Sequence, residues 1–263
     1  MQLEVLQNYV YEIFVEFDRV CKKHNLRYSM EGGTLLGAVK FQNFVPWDDD
    51  IDVIMLREDY EKFLKIAPSE LGEKFFLQSY NNVKEFPLNY AKICHNDTEI
   101  YDYDYTHLKN MNHGVFIDIF PLDNVIPNKL KKQCSKIGVL TGARKTKLKV
   151  KLGVKGKRKI IYKLLSLLPM KTLCKMLNKA CQKYNKLNTG YTYEVCNSNK
   201  KFAPLKTELY TEWTELQFRD KKFMAIKGYN ELLKDRFGKD YMDVLPKEED
   251  RKPSHNQNIR LKK

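Results

Sequence analysis

Hydrophobic residues recur every three or four positions at the start of the chain, over residues 3–21. The charged residues Glu4, Glu12, Glu16 and Arg19 lie between them, away from the apolar side of a helical projection. This periodicity is typical of an amphipathic α-helix with one buried face. We therefore predict a first helix that packs on a sheet through Leu3, Leu6, Val10, Ile13, Phe17 and Val20.

The next part of the chain consists of short apolar runs separated by turns and by two amphipathic segments. These patterns predict helices over residues 34–40 and 58–66, and strands over residues 26–30, 51–55, 75–80, 90–94 and 115–120. A further helix is predicted over residues 208–236, and the composition after Pro246 is that of a loop. This order of elements predicts an α+β fold with a mixed β-sheet flanked by helices.

The length of 263 residues suits one large domain or one domain with a substantial insertion. We predict a core over residues 1–123, a basic helical insertion over 124–193, and a C-terminal helical segment and tail over 194–263 that complete the core. No stretch approaches the roughly 18 apolar residues of a membrane-spanning helix, and residues 1–10 lack the features of a signal peptide. We therefore expect a cytoplasmic protein, peripheral on the inner face of the membrane.

Positive charge is concentrated in the middle of the chain. The net charge is +14, yet no acidic residue stands between Asn124 and Tyr193, where Lys or Arg occupies nineteen positions. Apolar residues recur there at helical spacing around Pro169, which predicts a basic amphipathic hairpin. Such a hairpin suits the surface of an anionic membrane. A solvated lysine face is the plainer alternative, and nucleic-acid binding is disfavoured because no stacking aromatic residues interleave the lysines.

Four aspartates stand within five residues, at Asp48, Asp49, Asp50 and Asp52. Buried carboxylates this close together repel one another strongly unless a cation offsets their charge. Because side chains alternate along a strand, Asp50 and Asp52 are predicted to share a face and to form an oxygen site for Mg²⁺ or Mn²⁺. A solvated acidic turn is the alternative, and the apolar residues on both sides of the run argue against it.

Two other features carry candidate chemistry. Gly32 and Gly33 stand between a predicted strand and a predicted helix, where backbone amides can approach phosphate oxygens. Asp118 is a lone carboxylate inside an apolar strand, where an unpaired charge is costly. Asp118 is therefore predicted either to supply a third carboxylate, as metal ligand or general base, or to be held by backbone hydrogen bonds.

The sequences GGTLLG at residues 32–37 and PWDDDID at 46–52 resemble the signature of the LicD/fukutin family, a branch of the nucleotidyltransferase-fold superfamily. The stretches HGVFIDIFPLD at 113–123 and RFGKDYM at 236–242 agree with it, as does the segment 251–255. This resemblance implies a nucleotidyltransferase-like core. It also implies a phosphotransferase that moves phosphocholine, or a related phospho-alcohol, from CDP-choline or another CDP-alcohol to a sugar hydroxyl. The acceptor would be a teichoic acid or surface-glycan precursor, which we expect to be lipid-linked.

On the family pattern, Asp50 and Asp52 hold Mg²⁺ or Mn²⁺ and Asp118 completes the triad. Nucleotide phosphates would lie against Gly32, Gly33 and Thr34. Asp48 and Asp49 have no assigned role beyond contact with substrate or a second cation. A nucleotidyltransferase that acts on RNA or a small molecule, and an inactive membrane-docked binding protein, are the alternative functions.

Several residues outside these motifs are weaker candidates. Lys92 is expected either to contact a phosphate or to be an ordinary surface lysine. Tyr101 and Tyr103, which alternate with aspartates, offer aromatic faces for a quaternary ammonium or form an exposed edge strand. We place three residues at the mouth of the site or in structural roles, namely His113, Arg251 and His255.

Overall fold

The computed structural model describes residues 2–100, 105, 107–196, 203–244, 248 and 259–261. Within these residues the fold is α+β, with seven α-helices and eleven β-strands. The helices are α1 Gln2–Lys23, α2 Gly32–Phe41, α3 Arg57–Glu70, α4 Pro127–Lys147, α5 Lys157–Ser166, α6 Met170–Cys181 and α7 Tyr229–Phe237. The strands are β1 Ser29–Met30, β2 Asp52–Leu56, β3 Phe75–Gln78, β4 Ala91–His95, β5 Thr98–Ile100, β6 Phe116–Asn124, β7 Tyr191–Tyr193, β8 Leu205–Lys206, β9 Trp213–Phe218, β10 Lys221–Ile226 and β11 Ile259–Leu261.

The main sheet is mixed, as the sequence predicts. Its central strands β2 and β6 run parallel, and the strand order is β1-β2-β6-β4-β3 with antiparallel pairing elsewhere. Strand β7 pairs with the end of β6, and β8 pairs with β7. The parallel pair brings two segments that are distant in sequence side by side at the centre of the sheet.

The first helix confirms the predicted apolar face. Leu6, Val10, Ile13, Phe17 and Val20 are all buried in the main hydrophobic core. The core also takes in the β9–β10 hairpin, where the ring of Phe223 stacks on Phe14 with centroids 4.0 Å apart. Burial of large side chains of this kind supplies most of the free energy that holds a helix to a sheet.

The predicted helix over residues 208–236 is wrong for most of its length. A short 3₁₀ turn at Thr207–Tyr210 is followed by the antiparallel hairpin β9–β10, and only α7 is α-helical. The hairpin turns at Arg219 and Asp220, with Arg219 in the left-handed region at φ 54°. The tail prediction also needs correction, because Ile259–Leu261 forms a strand that pairs with β5.

The lysine-rich part of the chain forms helices α4, α5 and α6. Pro169 immediately precedes α6, so it separates two helices as the sequence pattern predicts. Val125, Ile137, Leu177 and Val195 belong to a second hydrophobic cluster, separate from the main core. The division of the chain at residues 123 and 193 stays a prediction.

None of the helices in the described residues is both long enough and apolar enough to cross a membrane.

Candidate active site

Three charged side chains form a row across the centre of the sheet. Asp52 on β2 is the register partner of Asp118 on the parallel strand β6. Asp118 is in turn the register partner of Lys92 on the antiparallel strand β4. Directly opposed residues project from the same face of a sheet, so the two carboxylates and the ammonium lie side by side on one face.

Lys92 is a buried counter-charge for Asp118. Its Nζ atom lies 2.9 Å from Oδ1 of Asp118, and both side chains are about 10% exposed. The same Nζ atom is 3.1 Å from the ring centroid of Phe116, which adds a cation–π contact. The positive charge is therefore fixed between an aromatic face and a carboxylate, and Lys92 is not an ordinary surface lysine.

The loop before β2 gathers three further carboxylates. One oxygen atom from each of Asp48, Asp49 and Asp50 lies within 4.8 Å of the others, and Asp49 is buried. Burial raises the pKa of Asp48 to about 6; a hydrogen bond with Asp50 lowers this pKa, and the charges of Asp52 and Asp49 raise it. A buried Asp49 and a raised pKa at Asp48 are not typical of a solvated acidic turn.

Asp50 lies outside the strand that carries Asp52. Strand alternation predicts a shared face for Asp50 and Asp52, but β2 begins at Asp52, so this alternation does not extend to Asp50. Asp50 therefore lies in the loop, where one of its oxygen atoms is within 4.8 Å of an oxygen atom from each of Asp48 and Asp49.

The glycine pair at the start of α2 lies against these carboxylates. Gly32 has φ +55°, a conformation that suits glycine, and a Cβ atom there would lie 3.7 Å from Oδ2 of Asp52. A Cβ atom on Gly33 would collide with the carboxylate of Asp48. The first amides of a helix favour negative charge, so α2 directs a stabilising field at the acidic loop.

Backbone and side-chain hydrogen bonds fix Asp52 to the start of α2. The amide of Asp52 donates to Oγ1 of Thr34 at 2.9 Å. The carbonyl oxygen of Asp52 accepts from the amide of Glu31 at 3.0 Å. The predicted phosphate-binding segment and the predicted carboxylate are thus parts of one rigid unit.

A buried ion pair beneath this unit was missed in the sequence. Nε of Arg236, near the end of α7, lies 2.7 Å from Oε1 of Glu31, and both side chains are buried. Burying a charged pair is favourable only with close geometry, so this contact fixes α7 to the start of α2. The signal available in the sequence was a glutamate directly before the glycine pair and an arginine in the RFGKDYM stretch.

Tyr90 is a second residue that sequence reasoning missed. It lies one position before β4, and its ring is 4.4 Å from that of Phe120 on β6. Burial raises the pKa of Tyr90 well above its usual value, and the negative charges of Asp118 and Asp52 raise it further. Its hydroxyl therefore stays protonated and can donate a hydrogen bond on the carboxylate side of the sheet.

His113 lines the same small cavity as Lys92, and its imidazole contacts a backbone carbonyl oxygen. Its Nε2 atom is 3.1 Å from the carbonyl oxygen of Leu108. Together with Lys92, Phe116 and Tyr105 it lines a cavity of about 20 Å³, large enough for a water molecule. Four other predicted contacts lie outside the described residues, namely Tyr101, Tyr103, Arg251 and His255.

The donor atoms of this site suit a hard divalent cation. The acidic loop, Asp52 and Asp118 offer carboxylate oxygens, which are the ligands that Mg²⁺ and Mn²⁺ prefer. Burial, together with the charges of Asp52 and Asp49, raises the pKa of Asp48 to about 6. In the described part of the chain, the carboxylates close enough together to share one cation are those of Asp48, Asp49 and Asp50, and this group does not include Asp52 or Asp118.

Comparison with known proteins identifies the family of the chain. Residues 25–139 match the family described as LicD/FKTN/FKRP, nucleotidyltransferase domain. The chain is 31% identical over 253 residues to the lipopolysaccharide cholinephosphotransferase LicD of Haemophilus influenzae, and the alignment covers 92% of this chain and 91% of that protein.

Two shorter matches are to uncharacterized proteins. One, from Rickettsia typhi, is 39% identical over 59 residues, which is 22% of this chain and 19% of that protein. The other, from Rickettsia prowazekii, is 34% identical over 79 residues, or 29% and 30% of the two chains. The family match contains Asp52, Lys92 and Asp118. The chain therefore belongs to the LicD family.

Proposed function

We propose that this protein is a phosphotransferase that moves phosphocholine, or a related phospho-alcohol, from a CDP-linked donor to a hydroxyl group of a surface glycan. The observation that carries the proposal is the aligned row of Asp52, Asp118 and Lys92 inside the region that matches the family. Similarity to the Haemophilus cholinephosphotransferase over nearly the whole chain supports choline as the alcohol and a glycan as the acceptor. A teichoic acid precursor is the other acceptor class that we propose.

The reaction is a substitution at phosphorus. The acceptor hydroxyl oxygen forms a bond to the phosphorus that carries the choline, and the bond from that phosphorus to the bridging oxygen breaks, so CMP leaves. We assign Asp118 either as the general base that accepts the hydroxyl proton or as a metal ligand, because Asp118 lies beside Asp52 on the same face of the sheet. Lys92 lies 2.9 Å from Asp118 and contributes positive charge for the diphosphate.

A nucleotidyltransferase-like core would orient the donor through the start of α2. Its first residues, Gly32, Gly33 and Thr34, begin the helix, and backbone amides at a helix start favour phosphate oxygens. Asp50, Asp52 and Asp118 are the proposed ligands of Mg²⁺ or Mn²⁺, which would neutralise the diphosphate when bound. Asp48 and Asp49 lie close enough to hold a second cation or to orient the first.

Ligand-dependent thermal stabilisation tests the donor class. The purified chain is heated with CDP-choline, CDP-ribitol, CDP-glycerol, CTP, ATP or UTP, each with Mg²⁺, with Mn²⁺ or with a chelator. We expect a CDP-alcohol to raise the melting temperature most, only with metal, and not in Asp52→Asn. The control variant Asp97→Asn changes an exposed aspartate and should respond like the parent.

Other outcomes decide against the proposal. A response to nucleoside triphosphates alone would favour a nucleotidyltransferase. Stabilisation by CDP-choline without any release of CMP, in the presence of glycan acceptors, would favour an inactive binding protein.

A further inference from the structure

Helix α5 carries large apolar side chains on its solvent side. Ile160, Ile161 and Leu164 are 60%, 43% and 62% exposed, and Leu167, directly after the helix, is 78% exposed. Their spacing places them on one face of the helix. Exposed apolar side chains that cluster within two helical turns mark a surface that contacts something other than water.

This apolar face is surrounded by uncompensated positive charge. Between Asn124 and Tyr193 the chain has no acidic residue, and every Lys and Arg there is exposed except Arg144 and Lys145. In the described part of the chain, none of those exposed cations forms an ion pair with a carboxylate. Arg144 is a structural exception, because it is buried and donates to the carbonyl oxygens of Phe86 and Leu88.

A groove between α4 and α6 combines the same two features. Its volume is about 730 Å³, its floor includes Met176 and Ala180, and its rim consists of lysines, namely Lys129, Lys132, Lys136, Lys179 and Lys183. A neighbouring hollow of about 760 Å³ shares Lys132, Lys136 and Met176 with the groove and extends to Leu165 on α5. Ammonium groups above an apolar floor fit a phosphate head group with an attached hydrocarbon chain.

We propose that α4, α5 and α6 form a docking surface for an anionic phospholipid bilayer. The apolar face of α5 lies at the boundary between head groups and acyl chains, and the lysines of α4 and α6 bind lipid phosphates. The exposed lysines complement the negative charge of the lipid phosphates, and the exposed apolar face of α5 suits the acyl chains, so both features favour a bilayer. A nucleic acid fits less well, because the exposed residues between the lysines of α5 are Ile and Leu, whereas Tyr162 and Tyr184 are buried.

The docking surface is connected to the rim of the active site. Beyond the end of α4, the carbonyl oxygen of Leu148 lies 2.8 Å from Nε2 of His107. Nζ of Lys145 lies 5.4 Å from the ring centroid of Tyr105, which lines the small cavity beside Lys92. A bilayer on this surface would therefore lie beside the site and would present a lipid-linked acceptor to it. That consequence rests on the proposed function, whereas the docking itself does not.

Vesicle flotation tests the proposal without any substrate. One set of vesicles contains phosphatidylcholine alone, and in the other roughly one third of the lipid is phosphatidylglycerol. We expect the full chain to float only with the anionic vesicles and to be released by high salt. Leu164→Gln/Leu167→Gln should weaken binding about tenfold. Lys132→Gln/Lys136→Gln should weaken it roughly fivefold per lysine.

Matched variants control for nonspecific effects. Val5→Gln/Phe76→Gln changes exposed apolar residues elsewhere, and Lys62→Gln/Lys65→Gln changes exposed lysines of α3. Both should float like the parent, and all four variants should keep its melting temperature. The proposal would be overturned if all variants floated equally, if the parent bound neutral and anionic vesicles equally, or if it did not float at all. If the chain does not bind vesicles but is retained on immobilised RNA, the lysines of this surface bind nucleic acid instead.

Discussion

Asp52 and Asp118 are register partners on the two parallel strands at the centre of the sheet, although 66 positions separate them in the sequence. Two carboxylates on neighbouring strands and the same face repel each other, and Lys92, whose Nζ atom lies 2.9 Å from Oδ1 of Asp118, offsets part of this repulsion. This alignment of two carboxylates and one ammonium group is the arrangement on which the proposed transfer rests.

Asp52→Asn and Asp118→Asn should each lower the rate of CMP release by about a thousandfold or more, because each removes charge from the reacting centre. The rate is measured with CDP-choline, Mg²⁺ and a glycan acceptor. Asp97→Asn is the control, since Asp97 is exposed and should be dispensable. Retention of more than a tenth of the activity in Asp52→Asn would place the chemistry elsewhere.

Lys92→Met should destabilise the protein by about 3 kcal/mol, because it leaves the buried Asp118 without its counter-charge. Adding Asp118→Asn to that variant should restore most of the lost stability and none of the activity. Urea denaturation at neutral pH measures the free energy of unfolding. Lys74→Met breaks the exposed pair with Glu12 and should cost less than about 1 kcal/mol. If Lys92→Met and Lys74→Met lowered the free energy of unfolding by similar amounts, the pair of Lys92 and Asp118 would not behave as a buried ion pair.

The site shows which features the sequence could predict. The strands that carry Asp52 and Asp118 were evident from local apolar runs, each with its own carboxylate. The contact of Lys92 with Asp118 depends on strand register, which is set by tertiary pairing. The pair of Glu31 and Arg236 joins residues 205 positions apart, and no local pattern specifies it.

The β9–β10 hairpin shows a different limit. Its apolar residues Phe218, Phe223, Ala225 and Ile226 are spaced in a way that a helix can also accommodate. The turn at Arg219 and Asp220 contains no glycine or asparagine, so the usual signal for a two-residue hairpin loop is missing. In the folded chain the ring of Phe223 stacks on that of Phe14, and no local pattern specifies this contact between residues distant in sequence.

Gly33→Ala should reduce activity about tenfold or more while changing stability little. The added methyl group displaces the carboxylate of Asp48, which is the mobile end of a side chain and can move at low cost. Melting temperature and CMP release are measured together. Gly153→Ala is the matched control, because a Cβ atom there meets nothing within 4 Å. If the Gly33 variant were fully active, the close approach of Asp48 to α2 would have no part in catalysis.

The acidic loop should make the stability of the metal-free protein depend on pH. The pKa of Asp48 is about 6 in the folded chain, above its usual value, so the folded state binds the proton more tightly than the unfolded state. Protonated Asp48 therefore favours folding below about pH 4, and this contribution is lost as the pH rises through 6. Relative to Asp48→Asn, the free energy of unfolding should fall by up to about 3 kcal/mol between pH 4 and pH 7. Urea denaturation across this range measures the free energy of unfolding of both proteins.

Mg²⁺ at pH 7 should recover much of the lost free energy of unfolding by compensating the ionised carboxylates. A difference between the two proteins that is independent of both pH and Mg²⁺ would show that Asp48 neither titrates in this range nor senses the cation.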